Sequence, residues 1–385
     1  MLIQITNGHI LTPNGWLDEG SVLINDGKIL EVTNSDLAVI GAKIEDAKGM
    51  YIVPGFVAMN IRGGGGCDFS DCTEEAFEGA ALAHLKHGAT TIFPTVLASD
   101  MSTVEKAADV CEKTKNSQIQ GLHIVGPYLN PKMSASLFVD KEYGVDPKEY
   151  KEIVEHSNCI KRWDVSPEMP GMLDFARYLK GKGVLSAVTH TEAEYEGIKE
   201  AYEAGFTHAS NFYNSMPGFH KRREYKYEGT VESVFLLDDM TVEVIADGRH
   251  LPATILRLVY KLKGVERTCL VTDALACSAN GDKPLEDPRI IIEDGVCKLK
   301  DHSSLVGSIA TMDKLVHTMV KKAQVPLADA IRMASETPAR LMGVYDRKGS
   351  LEKGKDADIL ILDRKLKIRS VWSSGVLVPE TDKLT

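Results

Sequence analysis

The stretch Thr268-Cys-Leu-Val-Thr-Asp273 is a short apolar run, rich in β-branched residues, that ends on an acid. A strand buried on both faces reads this way, and in a barrel of parallel strands the residue at its carboxyl end faces the active site. Between Tyr51 and this run the chain alternates similar apolar bursts with helical stretches, at 52–59, 90–95, 119–125, 161–167, 183–188, 206–210, 241–246 and 267–272. Strands alternating with helices form parallel βα units, and eight of them over about 290 residues have the size of a closed (β/α)8 TIM barrel.

The ends of the chain read differently. Ser21-Val-Leu-Ile-Asn-Asp-Gly-Lys-Ile-Leu-Glu-Val32 places Asp26-Gly27 between two strand-like runs, which predicts a hairpin. After a helix expected near 327–342, strand patterns return in Ala357-Asp-Ile-Leu-Ile-Leu-Asp363 and Ser370-Val-Trp372. The expected architecture is therefore α/β. Residues 55–343 form the barrel, and a small β-sandwich domain is built from both termini, residues 1–54 plus 344–385.

Composition removes several classes of function. With 43% hydrophobic and 26% charged residues the chain is ordinary globular material, without repeats or low-complexity tracts. A net charge of −10 argues against nucleic acid as a partner, and Lys221-Arg222-Arg223 is too short a run to reverse that. No apolar stretch is long enough for a membrane span, and Met1-Leu-Ile-Gln-Ile-Thr6 lacks the form of a signal peptide, so a cytoplasmic protein is expected. Seven cysteines without a Cys-x-x-Cys spacing read as reduced packing residues.

In a barrel the residues that follow each strand are the candidates for chemistry. Here they are Asn60 and Arg62, Val125, Glu168, His190, Asn211, Asp247 to His250, and Asp273. The motifs around them, in order, are Pro54-Gly-Phe56, Gly63-Gly-Gly-Gly66, Gly126-Pro-Tyr-Leu-Asn130, Ser166-Pro-Glu168, His190-Thr191, Tyr213-Asn-Ser-Met-Pro217, Ile245-Ala-Asp-Gly248 with His250, Val271-Thr-Asp273-Ala274, and Gly349-Ser-Leu-Glu-Lys-Gly-Lys-Asp-Ala-Asp358. This series, spread over nearly the whole chain, resembles the N-acetylglucosamine-6-phosphate deacetylase family of the amidohydrolase superfamily. The resemblance implies removal of acetate from a phosphorylated amino sugar by a metal-bound water, with Asp273 as general base and acid.

A zinc-type site of this kind takes about three protein ligands, mostly His and carboxylate. The resemblance places a His-x-His after strand one, a carboxylate after strand three and a histidine after strand six, where this chain has Asn60-Ile-Arg62, Val125 and Asn211. Only His190 stands at a ligand position. Valine coordinates nothing and arginine repels a cation, so no metal cofactor is expected, although the family uses a divalent metal such as zinc. Two placements of Arg62 stay open, one supplying the positive charge of the missing metal and one pointing to solvent. His190 reads equally as a site residue or as a hydrogen-bonded core histidine, and Gly63–Gly66 as a tight turn.

By the same resemblance Asn214, Ser215, Arg223, His250 and Leu305 hold an amino-sugar 6-phosphate, the chain forms a homodimer, and Leu137 stands near the place of a further pocket histidine. His84, His87, His208 and His317 read as surface or packing residues. The functional expectation is a sugar-phosphate-binding homologue with lost or strongly reduced deacetylase activity, with Asp273, His190 and Arg62 as its reactive residues. Two alternatives stay open: a metal-independent enzyme doing proton-transfer chemistry on a related sugar phosphate, and an active deacetylase with an atypical metal site.

Overall fold

The computed structural model describes residues 1–35, 39–134, 143–279 and 287–379. Eight parallel strands follow one another around a barrel: Phe56–Ile61, Ala89–Leu97, Leu122–Val125, Ile160–Val165, Leu185–Val188, Phe206–Ala209, Thr241–Ile245 and Thr268–Val271, called strands one to eight below. Strand eight closes on strand one through Asp273 N–H to Asn60 O, 3.1 Å, and through Arg62 and Gly63 N–H to Ala274 O, 3.0 and 2.9 Å. The expected TIM barrel is present.

Two of the expected boundaries need correction. The run 52–59 is two strands, because the backbone changes partners at Gly55. Tyr51–Pro54 pairs antiparallel with Ile359–Leu362, while Phe56 N–H already donates to Gly88 O, 2.8 Å, ahead of strand two. The helix expected at 327–342 is also two, Leu327–Ala334 and Glu336–Leu341. Ser335 breaks it by turning its hydroxyl back to Ile331 O, 2.8 Å. Pro338, which has no N–H to donate, then sits in the first turn of the second helix.

The terminal β domain is one eight-stranded sheet with strands from both ends of the chain. Ile3–Thr12 lies between Gly15–Asn25 and Tyr51–Pro54, and the C-terminal strands Ile359–Leu362, Ile368–Ser373 and Val376–Leu377 extend the far side. Its own core contains Ile5, Val22, Ile24, Ile359 and Trp372. The hairpin at Asp26-Gly27 forms as expected, with φ of 49° and 79° matching the turn that suits twisted strands. Among the described residues no helix is long and apolar enough to cross a membrane.

The barrel interior is not wholly apolar. Arg162 of strand four is fully buried and makes two bonds of 2.7 Å to Asp164 and one of 2.5 Å to Glu243 of strand seven. His208 of strand six lies 3.3 Å from the same Glu243, and His123 of strand three lies 2.9 Å from Asp164. Burial alone would lower the Arg162 guanidinium, but the two carboxylates raise it above its ordinary value. Burial would raise Asp164 and Glu243, and Arg162 and the histidines hold both below the usual carboxylate range. Burial pushes both histidines down, which favours the neutral ring. One cation therefore serves two anions at the barrel centre.

Removing one member of such a group leaves buried charge without a partner. Arg162→Met should lower unfolding stability by about 3–5 kcal/mol in urea titrations. Removal of the exposed Arg177–Asp174 pair by Arg177→Ala should cost less than about 1 kcal/mol. Equal effects of the two substitutions would contradict this picture of the barrel interior.

Candidate active site

A cavity of about 170 Å³ opens at the carboxyl ends of the barrel strands. Asn60 and Arg62 enter it from strand one, Val125 from strand three, His190 from strand five and Asn211 from strand six. Asn214, Ser215, His250 and Asp273 complete the barrel side, and Ser304 to Gly307 close it from above. That cover is a short antiparallel sheet, Ile290–Glu293, Val296–Leu299 and Leu305–Gly307. It is fixed to strand eight by Ser308 N–H to Asp273 O, 2.9 Å, and by Ser308 Oγ to Thr272 O, 2.6 Å. Gly307 has φ of 147° and a Cβ there would meet Asp273 O at 3.0 Å, so the close approach requires glycine.

Asp273, His190 and Asn211 have φ of 46°, 44° and 45°, a left-handed conformation that residues other than glycine seldom take. Three strand ends thus turn sharply into one cavity, and each conformation carries strain. The Asp273 carboxylate accepts no hydrogen bond among the described residues. Burial raises its pKa from 3.8 to about 6, with Arg62 and His250 pulling the other way. His190 Nδ1 donates to Met133 O, 2.9 Å, which leaves Nε2 as a free acceptor, and burial pushes the ring toward its neutral form.

Arg62 faces the cavity and not the solvent. It donates Nη1 to Val306 O, 3.0 Å, while its buried Nε has no partner. His250 Nδ1 bonds Asp247 Oδ2, 2.7 Å, leaving Nε2 for the cavity. Burial would raise Asp247, but that bond, the His250 charge and the backbone N–H groups of Arg249 and His250 hold it below the ordinary value.

The cavity thus gathers Asp273, His190, Arg62, Asn214, Ser215, His250 and Leu305. It does not gather Arg223, which is exposed at the tip of the hairpin formed by His220–Arg222 and Tyr225–Tyr227. Glu168 is also elsewhere, accepting from Asn130 and Thr191. Leu137 lies outside the described residues. Gly63–Gly66 form a tight turn, His84 is buried against Gly63 O and Ser278, and His208, expected as a surface or packing residue, belongs to the charge network through Glu243. Not foreseen were Glu243 and Arg162 beneath the cavity, although a charged residue inside the apolar run Thr241-Val-Glu-Val-Ile245 was the available signal.

Val125 and the Arg62 guanidinium share the cavity with His190 and Asp273, and no group of three or more His, Cys, Asp or Glu among the described residues is placed to hold an ion. The architecture around the cavity nevertheless has clear relatives. Residues 51–378 match the amidohydrolase family. An N-acetylglucosamine-6-phosphate deacetylase of Haemophilus influenzae is 30% identical over 372 residues, covering 94% of this chain and 95% of that one.

This chain belongs to the amidohydrolase family, with N-acetylglucosamine-6-phosphate deacetylases among its relatives. An N-acetylgalactosamine-6-phosphate deacetylase of Escherichia coli O157:H7 is 28% identical, covering 96% of this chain and 97% of the relative. A variant N-acetyl-D-glucosamine-6-phosphate deacetylase from Mycobacterium smegmatis, solved with N-acetyl-D-glucosamine-6-phosphate, superposes with a TM-score of 0.89 at 26% identity, covering 98% of this chain and 99% of that chain. Members of one amidohydrolase family thus share this chain's fold while its own cavity carries Val125, Asn211 and Arg62.

The raised pKa of Asp273 sets a dependence of stability on pH. The folded protein holds this proton more tightly than the unfolded chain, so the contribution is full below about pH 4 and is lost as pH rises through about 6. A rise from 3.8 to about 6 corresponds to about 3 kcal/mol. Asp273→Asn removes that loss, so the variant should gain stability relative to the parent by about 2–3 kcal/mol between pH 4 and pH 7.5 in urea titrations. A stability difference that stays constant with pH would show that Asp273 ionises normally.

Proposed function

We propose that this protein binds an amino-sugar 6-phosphate in the barrel cavity and has lost, or strongly reduced, the deacetylase reaction by which its relatives are named. The observation that carries the reading is the shared lining of one cavity by Val125, Asn211 and Arg62 beside His190 and Asp273. Hydrolysis of an amide by this family's route needs a cation that both polarises the carbonyl and acidifies a water. Arg62 supplies positive charge and donors but cannot bind and ionise water. Asn214, Ser215, His250 and Leu305 are not themselves among the changed positions, so sugar-phosphate binding can persist without hydrolysis. Arg223 joins this reading only as a contact to another subunit of a homodimer, the assembly that the resemblance implies. A cytoplasmic location and the absence of nucleic-acid partners belong to the same reading, and the net charge of −10 supports the second.

One observation favours a second reading, a metal-independent enzyme. Burial pushes Asp273 up to about 6 and His190 Nε2 is free, which suits proton transfer near neutral pH, with Arg62 stabilising negative charge as it develops. Elemental analysis and calorimetry separate the readings. The purified protein should hold no stoichiometric zinc, iron, manganese or cobalt and should give binding heat with N-acetylglucosamine 6-phosphate or glucosamine 6-phosphate. Close to one metal per chain that survives a mild chelator would instead establish an atypical metal site, and acetate release with it would make the chain an active deacetylase.

Restoring ligands offers a stricter check. Val125→Glu together with Asn211→His should gain zinc and some acetate release, while either change alone should gain little, because two ligands hold a metal far less well than three. A double variant that binds zinc but releases no acetate would move the proton-transfer reading ahead. Acetate release by the unmodified protein at about one per second or faster would overturn the loss of hydrolysis.

A further inference from the structure

Beneath the cavity the hydrogen-bond network has a direction. Glu243 Oε2 is held by Arg162 Nη1 at 2.5 Å, and Glu243 Oε1 accepts from Ser210 Oγ, 2.9 Å, Asn211 N–H, 3.1 Å, and Asn60 Nδ2, 2.7 Å. The carboxylate is an acceptor only, so Asn60 must turn its Nδ2 toward it; the reverse orientation would set an amide oxygen 2.7 Å from a carboxylate oxygen. The second hydrogen of Asn60 Nδ2 goes to Asn211, 3.1 Å away, which must therefore offer Oδ1. Once Oδ1 faces Asn60, Asn211 Nδ2 is left without a partner among the described residues, on a side chain that lines the cavity.

From this relay we infer that Glu243 is a positioning residue that holds Asn211 Nδ2, together with the Arg62 guanidinium, as a donor seat for the carbonyl oxygen of an N-acylated amino sugar. The inference rests on the sugar-phosphate reading above and adds which form of the sugar the site selects. In the same cavity the Asp273 carboxylate and His190 Nε2 are free acceptors among the described residues, suited to an amide N–H. An amide group therefore finds its carbonyl and N–H both matched across the cavity. A free ammonium can pair with Asp273, but it is repelled by Arg62 and leaves Asn211 Nδ2 and the guanidinium without the acceptor that a carbonyl oxygen would supply. A site built to hydrogen-bond a polar group rejects an analogue that leaves its donors unpaired.

Calorimetry at pH 7.5 on the full chain tests this with N-acetylglucosamine 6-phosphate, glucosamine 6-phosphate and glucose 6-phosphate. The unmodified protein should prefer the N-acetyl form over the amine by about tenfold or more. Asn211→Asp replaces the donor by an acceptor in a residue that tolerates the same backbone conformation, and should abolish or invert that preference. In Glu243→Gln the glutamine must give its carbonyl to Arg162, leaving an NH2 that faces Asn60 and drives both amides to turn over. The preference should again fall by about tenfold, while glucose 6-phosphate affinity stays within about threefold.

A preference unchanged by Asn211→Asp overturns the donor seat, and one unchanged by Glu243→Gln overturns the relay. If Glu243→Gln loses all three ligands because the barrel floor has collapsed, Asn211→Asp, which leaves Glu243 in place, decides the matter. Failure of all three phosphates to bind the unmodified protein overturns the sugar-phosphate reading and this inference together, whereas binding without a preference for the N-acetyl form overturns this inference alone.

Discussion

Burial of Arg162 between Asp164 and Glu243 is the constraint on which the rest of the site depends. An isolated ion at this depth would cost many kcal/mol, and the attraction between partners offsets this only when the geometry is good and every remaining lone pair is used. The network gathers partners for these charges from five strands: Asn60, His123, Arg162 with Asp164, His208 and Glu243. An apolar filling of the same volume would stabilise the barrel as well or better. What an apolar filling could not do is fix the orientation of two amides, since a carboxamide between hydrocarbon side chains has no reason to choose which end faces the cavity. The charged floor thus acts on chemistry more directly than on stability.

Above that floor the protein departs from easy packing in several ways at once. Three left-handed strand ends, an unbonded Asp273 carboxylate and an unpaired Arg62 Nε each oppose folding, and all lie around one cavity. Scattered over the molecule they would be individual defects. Gathered at the carboxyl ends of barrel strands they are the unfilled half of a set of hydrogen bonds, which a polar ligand can complete.

The sequence carried the barrel because its signal is repetitive: eight apolar runs, each too short for anything but a buried strand, at the spacing that crossover helices require. It carried the cavity-facing residues Asp273, His190, Arg62 and Asn211 because they follow those runs directly. Where partners change within a continuous run, as at Gly55, apolar character alone has no mark of the change, and one run was read for two strands. Arg223 was assigned through resemblance, and its neighbourhood depends on a hairpin that lies away from the cavity of a single chain. Glu243 and Arg162 escaped because a charge inside an apolar strand is normally excluded. Its meaning emerges only when the partner on another strand is known.

Arg62 and Asp273 show how a guanidinium can share a cavity with an acid without silencing it. Freely mobile, the two would pair, the charge would cancel, and neither would be left for a ligand. The short sheet over the cavity prevents this by holding both: Val306 O takes Arg62 Nη1, and Ser308 N–H bonds the backbone of Asp273. No ion pair joins them among the described residues, yet Arg62 still lowers the Asp273 pKa against the larger effect of burial. The acid is therefore charge-compensated at a distance and remains free to accept a hydrogen bond. The space between them is left for a ligand oxygen, as the proposed binding without hydrolysis requires.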